Sequence, residues 1–191
     1  MQVALKELLA EKLIICSCEG NAEKAIIDLL LENNKLCFNR TALIDGTCTT
    51  LRSAKEIADN FLTRAYSQDI AILRILDKEN DRFKIPAVYL KNRNIDIYNV
   101  ITKPEIEMLH IISENLTSDF QRAERHNKNL RPSAFFQGHI TRHSRKNLKI
   151  KSTEYIKNFY SDIDKLINAI KIYHQQANQK HYDFSDLLAK F

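Results

Sequence analysis

Two apolar runs in this sequence each stop on an acidic residue. Leu13 to Cys18 is followed by Glu19-Gly20-Asn21-Ala22-Glu23, and Ile70 to Leu76 by Asp77-Lys78-Glu79-Asn80-Asp81. Carboxylates drawn to one point supply the hard oxygen ligands that magnesium takes. A metal held there orients a phosphate, offsets its charge and activates an attacking oxygen. The chemistry these residues suit is therefore the making or breaking of phosphodiester bonds. Glu19, Asp77 and Glu79 are the candidate catalytic residues. Together with Asp81 they are the candidate ligands for Mg2+ or Mn2+. Asp77 and Glu79 stand two apart, which in extended backbone puts both on one side. Gly20, without a Cβ, allows a sharp turn and a close phosphate, and a helix starting near Asn21 offers free N–H groups there. Glu23 and Glu107 are auxiliary acids. Each of these residues also has a plainer use, since carboxylates after strands often solvate a loop or cap a helix.

Such a site needs strands that end side by side. Leu13 to Cys18 and Ile70 to Leu76 are nearly continuous apolar runs, as strands covered on both faces should be. Asn21 to Glu32 carries Ala22, Ala25, Ile26, Leu29 and Leu30 at helical spacing. Leu36 to Ile44, interrupted by Asn39-Arg40, reads as a second strand ending at the turn Asp45-Gly46-Thr47. Asp45 is thus a third acidic strand end. Ser53 and Glu56 spell a capping box for a helix running to about Tyr66. Pro86 to Leu90 is a further short piece, and Ile95 to Ile101 alternates as a last strand. Helices between strands argue for a parallel sheet, in which ligands gather at the carboxyl ends.

From Pro104 the character changes. Pro104 and Glu105 suit the first turn of a helix, with Ile106, Leu109, Ile112 and Leu116 on its buried face. A second helix runs from Thr117 or Ser118 to about Asn127. Asn129 to Thr153 reads as a long polar loop with short elements. Glu154 to Ala177 reads as one helix with an apolar stripe, and Tyr182 to Phe191 as a short amphipathic piece that docks on its own chain or on a partner. The expected organisation is an α/β unit over residues 1–103 and a helical, basic extension over 104–191 packed on it.

The chain has 191 residues, with 28% charged and 44% hydrophobic, which are ordinary globular values. The net charge of +5 lies mostly in the C-terminal half and favours an anionic partner such as nucleic acid. Arg131, Arg142, Arg145, Lys151, Tyr155 and Lys157 are the candidate nucleic-acid contacts, since lysine and arginine neutralise phosphates. Phe135 and Phe136 suit anchoring that stretch to the core better than stacking on bases. His139 and His143 have zinc-compatible spacing, but neighbouring arginines oppose a cation. Cys16, Cys18, Cys37 and Cys48 lack Cys-x-x-Cys spacing and read as small, reduced, buried side chains. Lys6, Glu7, Glu11 and Lys12 break the first apolar run, unlike a secretory leader. No run reaches the ~20 apolar residues of a membrane span. A cytoplasmic protein without membrane contact is expected. No phosphate-binding Gly-x-x-x-x-Gly-Lys loop is present, which disfavours ATP hydrolysis by this chain.

The order of these motifs resembles a TOPRIM domain, the catalytic fold of topoisomerases, bacterial primases and several nucleases. The resemblance covers about residues 12 to 101. Glu19-Gly20-Asn21-Ala22-Glu23 matches the family's glutamate motif after the first strand. Asp45-Gly46-Thr47 matches its glycine turn, and Asp77-Lys78-Glu79 its Asp-x-Asp, with Glu79 one methylene longer. The resemblance implies that Glu19 is a general acid/base or outer metal partner and Asp77 the principal magnesium ligand, with Glu79 or Asp81 beside it. Beyond residue 103 the chain is similar to small RloB-like TOPRIM proteins of bacterial restriction and anti-phage loci, on Pro104-Glu105-Ile106-Glu107 and on Lys151, Tyr155 and Lys157. That likeness implies a nuclease acting on RNA, tRNA included, or on DNA. The alternatives are a non-catalytic module binding nucleic acid or a partner, and an effector held inactive by a partner ATPase. Assembly with copies of itself stays open.

Overall fold

Two apolar runs and one alternating segment pair into one sheet: β1 (Leu13–Cys18), β2 (Ile70–Leu76) and β3 (Ile95–Ile101). All pairs are parallel, in the order β1-β2-β3. The computed structural model describes residues 3–77, 82–91, 93–103, 105–144, 148–176 and 180–189. Every residue of β2 is buried, as a central parallel strand flanked by layers on both faces must be. The register sets Cys18 opposite Ile75 and Ile75 opposite Val100. The carboxyl ends of all three strands therefore finish level.

Alternation along the strands divides the core in two. Ile14, Cys16, Cys18, Ala71, Leu73, Ile75 and Val100 belong to the larger cluster. Helices α1 (Leu5–Leu9), α2 (Asn21–Glu32), α4 (Met108–Ser113), α6 (Pro132–Ser144), α7 (Thr153–Phe159) and α8 (Ile163–Gln176) contribute to it. Phe120, on α5 (Thr117–His126), joins it as well. Ile15, Ile70 and Ile72 point the other way, onto Ile57, Ala58 and Leu62 of the α3 region (Ala54–Phe61) and onto Ile44 and Ile85. The protein is thus an α/β molecule with a three-stranded parallel sheet flanked by helices. No helix is long and apolar enough to cross a membrane among the described residues.

Several expectations need correction. Residues 36–44 form no strand. Asn39 accepts hydrogen bonds from Thr41 N and Ala42 N, drawing the chain into a 3-10 turn at Arg40–Ala42. A second turn follows at Ile44–Gly46, with Asp45 and Gly46 at φ of 60° and 65°. Only single bridges, Leu43 to Ile14 and Thr49 to Ser17, tie this segment to the free edge of β1. Helix α3 has the expected Ser53–Glu56 capping box but stops at Phe61. Helix α4 starts at Met108, and Pro104 lies outside the described residues. Glu105 does serve a helix start, but that of α6, where its Oε2 accepts from Ser133 N at 2.9 Å.

The stretch expected as a polar loop contains α6, thirteen residues long. Phe136 on α6 is fully buried, and Phe135 packs on Phe120 at 5.3 Å between ring centroids. Both phenylalanines anchor the segment, as expected. The single helix expected from Glu154 onward is two helices. Tyr160 departs from helical geometry, and Asp162 accepts from Asp164 N at 3.0 Å to start α8. The C-terminal piece docks on its own chain. Ile101 N donates to Tyr182 O and Cys37 N to Leu187 O, each at 2.8 Å, while Phe184 and Leu187 are buried.

Candidate metal and phosphate site

Glu19 and Asp77 are the first residues beyond two adjacent parallel strands. Glu19 N donates to Ile75 O at 3.0 Å, continuing the ladder by one rung. The Glu19 side chain then crosses to the neighbouring strand end, where Oε2 accepts from Asp77 N at 2.8 Å. Acids 58 positions apart are thus joined directly. The other Glu19 oxygen lies 4.0 Å from Arg52 Nη1. Asp77 Oδ1 is buried with no hydrogen-bond partner. Glu79 and Asp81, the other expected ligands, lie outside the described residues.

Two auxiliary acids sit in the same neighbourhood. Glu23 is buried on the first turn of α2. Burial pushes its carboxyl above the usual glutamate range, and the negative charges of Glu107 and Glu19 push the same way, against a lowering contact with its own backbone N–H. Glu107, only 1% exposed, is the residue before α4. Lys151 Nζ stands 3.1 Å from its Oε1. This is an ion pair that leaves both Glu107 oxygens without a directed hydrogen bond. The charged group is therefore held in the core edge by one neighbouring cation. Gly20 has extended backbone, so no unusual turn calls for glycine there. A Cβ at Gly20 would meet only the far end of the flexible Glu23 side chain, Oε2 at 3.0 Å.

Asp77 also lines a cleft of about 820 Å³ between the sheet ends and the C-terminal helices. Arg131 is in its wall, with Lys103, Lys128 and Lys180. Glu105, Glu124 and Asp183 line it too, so cations and carboxylates balance and the cleft is not a plain positive funnel. Lys128 and Arg131 reach it from the α5–α6 connection and are exposed. Tyr173 closes one side, hydrogen-bonded to the Lys103 carbonyl. Sequence reasoning missed Arg52, Lys103 and Lys180, which are scattered singly and follow no motif.

The other expected phosphate contacts are elsewhere. Arg142 is exposed near the end of α6, and Arg145 lies outside the described residues. Lys151 is engaged with Glu107. Lys157 pairs with Glu32 Oε1 of α2 at 2.9 Å. Tyr155 stacks on Phe159 at 5.6 Å, and burial pushes its hydroxyl up to about 12. Those two rings surround His110, which accepts a hydrogen bond at Nδ1 from the Tyr160 hydroxyl at 2.8 Å and is held down to about 3 by burial. This aromatic cluster is core. His139 and His143 stack on each other, and His143 Nδ1 donates to the His139 carbonyl at 2.8 Å. Asp45 is bound by Arg64, with Oδ1 2.5 Å from Nη1.

The donors at the strand ends are hard oxygens, which fit magnesium or manganese. Among the described residues, only Cys16–Cys18–Cys48 and His174–Asp183–Asp186 bring three ligand atoms within 4.8 Å of one another. The acidic set is therefore looser than a closed cage. Magnesium is commonly held by one or two carboxylates, with water and substrate phosphates completing its octahedron, and the set is compatible with that. His174–Asp183–Asp186 is already explained as a cap. Asp183 accepts from Ser185 N and His174 Nδ1, and Asp186 accepts from Asp183 N. No protein-family model, curated protein or solved structure matches the chain.

Proposed function

We propose that this protein is a magnesium- or manganese-dependent nuclease of TOPRIM type. Its substrate is RNA, tRNA included, or DNA, and its setting is bacterial anti-phage defence. The supporting observation is the hydrogen bond from Asp77 N to Glu19 Oε2 at 2.8 Å, which joins two acidic strand ends, beside a buried Asp77 Oδ1 that lacks a hydrogen-bond partner. Leaving a buried charge uncompensated costs several kcal/mol, on the order of 3–5 when a partner is removed, and a bound cation offsets that cost. A divalent ion held by Asp77 beside Glu19, with Glu79 and Asp81 as the further candidate ligands, would supply charge neutralisation on the phosphate and an activated oxygen.

The chain's own residues divide the remaining work. Glu19 fixes the end of β2, because its carboxylate accepts from the Asp77 backbone N–H. Glu23 keeps its proton to higher pH than a free glutamate, the state a donor to a leaving oxygen needs. Lys128 and Arg131 contact backbone phosphates from the rim, and the cleft admits the strand. The test is cleavage of end-labelled RNA and DNA across a magnesium titration. Wild type cleaves only with metal. Glu19→Ala and Asp77→Ala lose at least about 100-fold while keeping the circular-dichroism spectrum of the fold. Undiminished cleavage by both purified variants rules the mechanism out.

One observation favours a second reading, a binding module without chemistry: no three of the acidic oxygens described converge as a ligand set. Such a module shows affinity that falls steeply with salt, no metal requirement and no product.

A further inference from the structure

Three of the four cysteines meet in the core. Cys16 and Cys18 are two apart on β1, so both side chains project to the α2 face. Cys48 is held against them by the neighbouring bridge: Thr49 N donates to Cys16 O at 2.8 Å and Cys18 N to Thr49 O at 2.9 Å. All three are at most 2% exposed, and their sulfurs lie within 4.8 Å of one another. Packing of small apolar side chains does not require that convergence. Three soft sulfur donors thus converge in a dry place, a donor set suited to a soft cation. Cys37 is apart from the group, and burial pushes its thiol up.

Thiolates select soft ions such as Cu(I) and Zn(II) over magnesium. Structural zinc sites take four protein ligands, and this group has three members among the described residues. Cu(I) is content with three sulfurs. We propose that Cys16, Cys18 and Cys48 form a binding site for one thiophilic d10 metal ion, coordinated by three sulfurs, with Cu(I) the ion that best suits the donor set. Coordinating thiols release their protons to solvent on binding. Lys24 acts on both Cys18 and Cys48 and is itself paired with Asp28 at 2.7 Å. Entry is by way of residues 40–49, which cover β1 through two isolated bridges rather than a continuous ladder. This site is separate from the hard-oxygen site and does not depend on the phosphodiester reading.

The test uses the full chain, purified reduced and without oxygen. It is titrated with Cu(I) against a colorimetric chelator and, in parallel, with Zn(II). Wild type should withdraw one Cu(I) per chain, and X-ray absorption should show a shell of three sulfurs. Cys37→Ser should behave as wild type. Cys48→Ser should lose at least the roughly 100-fold in affinity that disturbing a metal site's supporting groups can cost. No withdrawal by folded wild type overturns the proposal, as does unchanged affinity in Cys48→Ser. Tighter zinc than copper binding, with a nitrogen or oxygen completing four ligands, overturns the three-sulfur assignment. If Cys48→Ser does not fold, the sulfur count in wild type decides alone: three supports the site, and fewer overturns it.

Discussion

Glu23 is the residue whose behaviour follows most directly from its surroundings. Burial raises its folded pKa above the ordinary 4.5, aided by Glu107 and Glu19. The folded protein therefore binds this proton more tightly than the unfolded chain. Its contribution to stability is complete below pH 4.5 and is lost as pH rises through the folded value. Glu23→Gln, which keeps the shape without the charge, should melt higher than wild type at pH 7.5. The advantage should vanish below pH 4.5 in a pH series of thermal melts. The positions of Glu19 and Asp77 at adjoining strand ends were legible in the sequence because a buried strand can end on a carboxylate only where it reaches the rim of the sheet. The surroundings of Gly20 were legible only in part. Its contact with Glu23 depends on how α2 turns back over the strand end, which no local pattern encodes.

Elements were legible where one physical rule dominated. The limits of β1, β2, β3 and α2 follow from apolar runs and helical spacing, and the sheet forms as those rules require. Leu36 to Ile44 carries the same apolar signal, yet Asn39 captures two backbone N–H groups and breaks the run. Local side-chain hydrogen bonds outcompeted the sheet there. Helix α6 was missed because its polar, weakly amphipathic sequence carries Gly138 in the middle, although Pro132 at its first position and Arg142 and His143 in its last turn were available signals. Its stability comes instead from tertiary contacts, above all the fully buried Phe136. Phe136→Ala should cost about 3–5 kcal/mol in chemical denaturation. Gln137→Ala, on the same helix but not buried, should cost within about 0.5 kcal/mol. Equal losses would mean that α6 is held by something other than that anchor.

At the scale of the molecule, the sheet ends, the α5–α6 connection and the C-terminal segment enclose one cleft with Asp77 in its wall. The sequence pointed to a basic C-terminal half, but not to which cations would reach the cleft. Lys128 and Arg131 do, whereas Lys157 is spent on Glu32 and Lys151 on Glu107. That sorting depends on the turn between α7 and α8 and on the path of α6, both invisible to charge counting. If the cleft binds nucleic acid, Arg131→Ala should weaken binding about equally across sequences and reduce the slope of log affinity against log salt by about 1, measured by fluorescence anisotropy. Lys157→Ala should leave that slope unchanged. The reverse pattern would place the strand on another face.

The metal-site reading is most directly tested by Mn2+ binding, followed by electron paramagnetic resonance on the full chain. Wild type should bind manganese, magnesium should displace it, and Asp77→Asn should lose at least about 10-fold in affinity with the fold intact. Equal manganese binding by wild type and a folded Asp77→Asn would contradict a cation held at these strand ends.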